Sequence, residues 1–225
     1  DGFLLELTKS KGAKICTERV VKVEFINGLP QITCKSGLTQ SYDLIAGAVG
    51  VNTKALKLFT QLETKFVPPA TTKTHICEFL LGHDLIQKHF GNSMHVFLLD
   101  IPRLEFAAII PKDDYVTLVM LGENIDKNLV QDFLNTKEVK QCFPDGWDLS
   151  AGMTCLCFPK INVKTAVQPY ANRLVLIGDC ATTKLYKNGI GAAYVAAKAA
   201  ATTAVFKGIS SSDFKKYYQP TCDRI

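Results

Sequence analysis

The sequence predicts a mixed α/β (α+β) fold in which an antiparallel sheet interrupts a unit of parallel strands and helices. Three observations predict it. Residues 42–48 form a short apolar run that ends in small residues, as a buried parallel strand does. Alternating strand-like segments follow Pro68-Pro69, and an apolar run at 173–177 leads into an alanine-rich helix. We therefore expect three segments, which are 1–60, 61–170 and 171–225, and we assign the first and third to one domain.

The first segment is expected to begin with a helix and to continue as strands separated by turns. The leucine spacing predicts a helix over residues 2–11 that ends at Gly12. Asn27-Gly28 is a strong hairpin-turn signal between two apolar runs. The expected strands are residues 13–25, 31–35 and 41–48.

The middle segment contains short runs that are typical of an antiparallel sheet. The expected strands are residues 74–81, 94–99, 104–110, 115–121 and 151–158. Apolar residues at helical spacing predict one helix over residues 124–135.

The last segment predicts one strand and two helices. The expected elements are a strand at 173–177 and helices at 189–207 and 211–218. Gly208 would end the longer helix, and serine and aspartate would cap the shorter one before it ends ahead of Pro220.

Composition excludes several classes of protein. With 47% hydrophobic and 21% charged residues, the 225-residue chain can bury a core and is not disordered. Its net charge of +5 is scattered, so we expect no nucleic-acid partner. Because Lys198 and Thr202 interrupt the alanine-rich segment, we expect no integral membrane segment and a cytoplasmic location. The four histidines are irregularly spaced, so no metal site is expected, and the oligomeric state stays open.

The chemistry concentrates where the late strand ends. Gly178 allows a tight turn at the strand end, and Asp179 offers two acceptor oxygens that suit a sugar-like hydroxyl. Gly189 and Gly191 allow close approach of backbone N–H groups at a helix N-terminus, where negative charge is favoured. Small residues let this helix pack against a bulky ligand; they are Ala192, Ala193, Ala196, Ala197, Ala199 and Ala200. Alone, Gly178-Asp179 would be an ordinary turn and Gly189-Ile190-Gly191 an ordinary helix start, but their order and spacing favour a cofactor site.

Residues 173–181 and 185–194 together resemble the late Gly-Asp motif of the superfamily that contains FAD-dependent aromatic monooxygenases and geranylgeranyl reductase-like enzymes. The resemblance implies a partial FAD/NAD(P)-binding Rossmann-like domain with an inserted antiparallel-sheet substrate domain. It implies that Asp179 contacts the ribityl chain of FAD, and that the helix start faces the pyrimidine side of the flavin ring. The cofactor-binding set is then Gly178, Asp179, Lys187, Asn188, Gly189, Ile190, Gly191 and Ala192. Lys187 would stabilise reduced flavin or would simply be exposed to solvent.

Two further segments match in the correct order. Residues 42–53 resemble the middle motif of the family, but Val49 stands where the family usually has aspartate, which puts the motif's part in cofactor binding in doubt. Residues 105–122 resemble the substrate-domain signature of the reductase branch, and they imply substrate contacts at Phe106, Pro111 and Lys112. Ala108 replaces the usual tryptophan, and an edge strand with an exposed lysine explains these residues equally well.

The resemblance implies a flavin-dependent oxidoreductase, reductase-like, which acts on an apolar or aromatic small molecule with FAD as hydride carrier and NAD(P)H as a candidate electron donor. The alternatives are a flavin-dependent aromatic hydroxylase and a non-catalytic ligand-binding remnant of the fold. The Gly-rich dinucleotide fingerprint that would hold the ADP half of FAD is absent from the sequence. We therefore expect a fragment of a longer enzyme that by itself binds FAD poorly and is inactive.

Overall fold

The beginning of the chain forms a helix, a three-stranded meander and one strand of a parallel pair. The structure is a computed structural model that describes residues 2–148, 153–183 and 189–225, and only the backbone at 153–156. The elements in this part are α1 (Gly2–Ser10), β1 (Val20–Ile26), β2 (Leu29–Cys34), β3 (Thr39–Ser41), β4 (Ile45–Gly47) and α2 (Leu56–Thr60). The predicted first helix is confirmed, and Gly12 follows it with φ +91°.

A tight hairpin joins β1 and β2 and confirms the predicted turn. Ile26 pairs with Leu29, and both turn residues have positive φ, +51° at Asn27 and +77° at Gly28. Two-residue hairpin turns with positive φ at both positions favour an asparagine followed by a glycine. The predicted strand at 13–25 is too long, because the ladder ends at the pair between Val20 and Cys34 and residues 13–19 have no partner strand.

The middle of the chain forms an antiparallel sheet with helices on one face. Its elements are β5 (Ala70–Lys73), β6 (His75–Leu80), α3 (His83–His89), β7 (His95–Phe97), β8 (Leu104–Lys112), β9 (Tyr115–Gly122), α4 (Lys127–Leu134), α5 (Lys137–Lys140), β10 (Met153–Cys157) and β11 (Lys160–Lys164). The five-stranded sheet has the order β10-β6-β9-β8-β7, and every neighbouring pair is antiparallel. All five of its strands and the helix α4 were predicted from the sequence.

One face of this sheet packs against α3, α4 and α5 to form the largest core cluster. Strand side chains that alternate along β6, β8 and β9 meet helix side chains there, and Phe97 stacks edge-on against Phe133 with centroids 5.4 Å apart. Asp126 caps α4 by accepting a hydrogen bond from Leu129 N, and it pairs with Arg103 at 2.9 Å. These two interactions lower the pKa of the Asp126 carboxyl.

A short pair of parallel strands joins the first and the last of the three segments of the sequence. β12 (Tyr170–Ala171), β13 (Leu174–Leu176) and β4 form a sheet in the order β12-β13-β4. β13 runs parallel to β4, with Leu174 opposite Ile45 and Leu176 opposite Gly47. The parallel strand predicted within residues 42–48 is therefore confirmed, although the observed strand covers only residues 45–47 of that range.

Helices close the fold after β13. They are α6 (Gly189–Phe206), α7 (Ser211–Asp213), a π-helical turn (Phe214–Tyr218) and α8 (Gln219–Arg224). Ser210 and Asp213 cap this helix, as the sequence predicts, and the two side chains form a reciprocal capping box. The last helix does not stop before Pro220, because the π-helical turn places this proline in the first turn of α8, where a missing N–H costs little.

Helix α6 is, by length and composition alone, the one helix in the described ranges that could cross a membrane. Core helices of water-soluble proteins can have the same length and composition. Its side chains Ala196 and Ala200 pack into a core cluster with Phe214 and Tyr218, and the Tyr218 hydroxyl donates to Leu176 O at 2.6 Å. One side of α6 is thus bound to the parallel sheet.

Candidate functional site

A cavity of about 1200 Å³ lies where the parallel strands end and α6 begins. The residues that line it are far apart in the sequence, and Asp179 is the charged side chain among the described lining residues. The lining residues are Leu4, Ala48, Gly50, Ile177, Gly178, Asp179, Gly189, Ile190, Gly191, Ala193, Tyr194 and Ala197. Most of this wall is apolar or glycine, which suits a large and flat organic ligand.

The turn after β13 presents Asp179 to this cavity. Gly178 has φ +70°, a conformation that glycine adopts without strain, and residues Gly178–Cys180 form one 3₁₀ turn. Thr183 Oγ1 donates to Asp179 Oδ1 at 2.6 Å, and the buried Asn162 donates through Nδ2 to Asp179 O, also at 2.6 Å. The carboxylate is therefore held in place while the residue itself stays exposed.

The N-terminus of α6 lies beside this carboxylate. A Cβ placed on Gly189 would lie 3.9 Å from Asp179 Oδ1. Because the first turn of an 18-residue helix carries partial positive charge, it favours both Asp179 and any negative charge that develops on a ligand nearby. The two glycine signals of the sequence thus meet at one place.

One face of α6 continues the cavity wall beyond its first turn. Ile190, Ala193, Tyr194 and Ala197 follow helical spacing along this face. Ala192, which the resemblance places in the site, is instead buried and does not line the cavity, because it lies on the opposite side of the helix. The lining residues Tyr194 and Ala197 were missed, although the period of 3.6 counted from Ile190 points to them.

The middle motif contributes its small residues to the cavity. Ala48 and Gly50 line it, whereas the Val49 side chain packs against the core cluster that contains Val23 and Phe59. Leu4 of α1 also lines the cavity, and no sequence signal indicated it. Two predicted site residues, Lys187 and Asn188, lie outside the described residues.

The cysteine that follows Asp179 is a packed thiol. Cys180 is fully buried, and its Sγ lies 3.1 Å from Ile177 O and 3.4 Å from Gly47 O. Burial raises the pKa of this thiol, so the nucleophilic thiolate is disfavoured. Cys180 therefore stabilises the turn and does not supply a reactive group.

The predicted substrate residues lie on β8 and are not among the residues that line this cavity. Ala107 and Ile109 face the helices, so the alternation of the strand places Phe106 and Lys112 on the other face of the sheet. Lys112 Nζ pairs with Glu78 Oε1 at 3.6 Å, and Thr117 Oγ1 lies 3.5 Å from the same oxygen. Pro111 is half-buried opposite Val116 in the ladder.

Known structures share this fold, although no protein-family model and no curated protein sequence matches the chain. Tetracycline destructase Tet(51) superposes with a TM-score of 0.60 at 16% identity, over 98% of this chain and 62% of that protein. A tryptophan 6-halogenase (SttH) from Streptomyces toxytricini gives 0.66 at 14% identity, over 99% and 44%.

The rebeccamycin biosynthetic enzyme RebC, whose structure was determined with reduced flavin, gives a TM-score of 0.62 at 14% identity, over 97% of this chain and 43% of RebC. The chain thus spans between about two fifths and three fifths of the length of these proteins. The comparison confirms the predicted α/β (α+β) fold class, and it shows that the chain has the fold of part of these larger proteins.

Proposed function

We propose that the chain is part of a flavin-dependent oxidoreductase that acts on an apolar or aromatic small molecule. The observation that carries the proposal is the cavity at the ends of β4 and β13, where the exposed Asp179 carboxylate and the N-terminus of α6 meet. The fold shared with RebC, which was determined with reduced flavin, supports the same conclusion.

The residues around the cavity fit one half of FAD. Asp179 would accept hydrogen bonds from ribityl hydroxyls, and the first turn of α6 at Gly189, Ile190 and Gly191 would face the flavin ring. The apolar wall would shield the ring from water, and Thr183 with Asn162 keeps the Asp179 turn in its orientation. When bound, a flavin supplies hydride transfer to a double bond or activation of oxygen.

The outer face of the five-stranded sheet is the proposed substrate surface. Phe106 offers an aromatic contact there, and Lys112 with Glu78 offers a charged pair at its edge. The resemblance of residues 105–122 to the reductase branch favours reduction of the substrate, with NAD(P)H as electron donor.

A cytoplasmic location is part of the same proposal. Five of the described cysteines, Cys16, Cys34, Cys142, Cys180 and Cys222, carry free thiols, and three of these are buried. Reduced thiols are typical of proteins from a reducing compartment.

The visible spectrum of the purified protein, produced as its full-length polypeptide, tests the proposed cofactor. We expect the absorption bands of oxidised flavin, either on purification or after incubation with FAD and gel filtration. A colourless protein that gains no flavin contradicts the proposal and favours a ligand-binding remnant.

Oxygen consumption distinguishes the reductase from the hydroxylase. With an aromatic or unsaturated substrate and NAD(P)H, a reductase oxidises the nucleotide under anaerobic conditions and yields a reduced product. A hydroxylase instead consumes oxygen in proportion to a hydroxylated product, and that result would replace the reductase proposal with the alternative.

A further inference from the structure

A second concave site lies between α6 and α8. This groove, which we call the basic groove, has a volume of about 470 Å³. Its wall combines Tyr194, Lys198 and Thr202 of α6 with Lys207, Tyr217 and Arg224 beyond it. Tyr194 also lines the cavity beside Asp179, so the two sites are neighbours on one helix. Apart from Tyr194, no residue that lines the cavity beside Asp179 lines the basic groove, and none of the proposed substrate residues does.

The charge of the basic groove is not compensated within the described residues. Its lining includes the cations Lys198, Lys207 and Arg224 and no carboxylate, and none of the three is part of an ion pair found there. The acids nearest in sequence have other partners. Asp223 Oδ1 accepts from Gln219 at 2.7 Å. Asp213 accepts from Ser210 in the capping box, and its carboxylate also attracts Lys216, which does not line the groove.

An aromatic ring gathers two ammonium groups at one end of the groove. Lys207 Nζ lies 5.5 Å and Lys216 Nζ 5.0 Å from the centroid of the Tyr217 ring. Each cation is attracted to the ring, but the two repel one another, and a bound anion would remove that repulsion.

The remaining groups suit a phosphate. Arg224 Nε donates to Pro220 O at 3.1 Å, which fixes the guanidinium along α8. A second guanidinium nitrogen, Nη2, donates to Thr221 Oγ1 at 3.4 Å. The other guanidinium N–H groups, the lysine ammonium groups and the Thr202 hydroxyl are donors that can bind phosphate oxygens. Tyr194, which is 66% exposed, offers a ring surface for the uncharged part of such a ligand.

We propose that the basic groove binds a soluble, phosphate-bearing small molecule. Its concave shape and its uncompensated cations favour such a ligand over a flat anionic membrane, although Val205 and Phe206 are exposed nearby. The proposal does not depend on flavin binding at the neighbouring cavity.

Isothermal titration calorimetry at low ionic strength with inorganic pyrophosphate, and separately with NADPH, tests the proposal. The variant Lys198→Gln/Lys207→Gln removes two groove cations. The control Lys57→Gln/Lys88→Gln removes two exposed lysines outside the groove and leaves the same net charge. Cosedimentation with phosphatidylserine-containing vesicles is the third arm.

We expect saturable binding of at least one soluble probe, weakened about tenfold or more in the groove variant and less than about twofold in the control. Absence of saturable binding of both soluble probes overturns the proposal, as does an equal loss in the two variants. Binding to vesicles alone also overturns it, since the groove would then serve a membrane surface. Because pyrophosphate binding needs no flavin, failure here is distinguishable from a colourless protein.

Discussion

At the scale of single residues, Asp179 combines exposure with a fixed position. A carboxylate on a free loop would lose side-chain freedom when it binds a hydroxyl. Here Thr183 and Asn162 have already fixed the turn through hydrogen bonds of 2.6 Å. The sequence indicated Asp179 through its place after a strand and Gly178, but nothing in the sequence indicated Asn162, because it lies on a strand of another sheet.

His75 is a buried residue whose charge state links stability to pH. It is fully buried at the start of β6 and stacks on Phe158 with ring centroids 4.8 Å apart. Burial lowers the pKa of His75, an effect that the backbone of Cys157 partly opposes. The unfolded chain therefore binds a proton at a higher pH than the folded protein does. Stability from this group is present above the unfolded pKa and falls as the pH decreases below it.

We expect His75→Leu to reduce this acid sensitivity. The free energy of unfolding of the wild type is compared at pH 7.5 and pH 5.5. Below pH ~6.5, His75 lowers this free energy by up to about 1.4 kcal/mol for each unit by which the pH decreases. Urea denaturation at the two pH values measures the difference. The control His89→Leu changes a partly exposed histidine. Parallel pH profiles for the wild type and His75→Leu would contradict this assignment.

At the scale of elements, the close packing of β4 and β13 depends on the absence of a side chain at Gly47. A Cβ at this position would lie 2.5 Å from Leu176 Cδ2 and 2.8 Å from Phe59 Cζ. These side chains belong to one core cluster with little free space, so they have to shift to admit a methyl group.

We expect Gly47→Ala to lower the free energy of unfolding by about 1–3 kcal/mol through overpacking. Chemical denaturation measures it, with Gly2→Ala as the matched control, because a Cβ at Gly2 meets no atom within 4 Å. An alanine at position 47 that is as stable as the wild type would show that β4 and β13 pack less closely than described.

Elements with local signals could be predicted, and elements that depend on distant partners could not. The turn at Asn27-Gly28 and the capping box at Ser210 each carry their signal within four residues. By contrast, β5 pairs with β11 across about 90 residues and lacks clear alternation, so the sequence did not indicate β5. Helix α3 was also missed, because it has only seven residues and begins after Gly82 without a side-chain cap.

At the scale of the whole molecule, the candidate site is made by topology. Parallel pairing of β4 with β13 joins residues 45–47 to residues 174–176 and brings Ala48 and Gly50 next to Gly178 and Asp179. The sequence motifs indicated both pairs of residues, Ala48 with Gly50 and Gly178 with Asp179. Their meeting at one strand edge, together with Leu4 and the Tyr194 face of α6, became visible only in three dimensions.

Titration with FAD measures whether the cavity beside Asp179 binds a flavin. The protein, produced as its full-length polypeptide and freed of ligand, is titrated with FAD, and quenching of flavin fluorescence gives the dissociation constant. We compare Asp179→Ala with Asp132→Ala, which removes an exposed carboxylate of α4. We expect saturable binding that Asp179→Ala weakens about tenfold and that Asp132→Ala leaves unchanged. No saturable binding, or equal affinity in all three proteins, would contradict it.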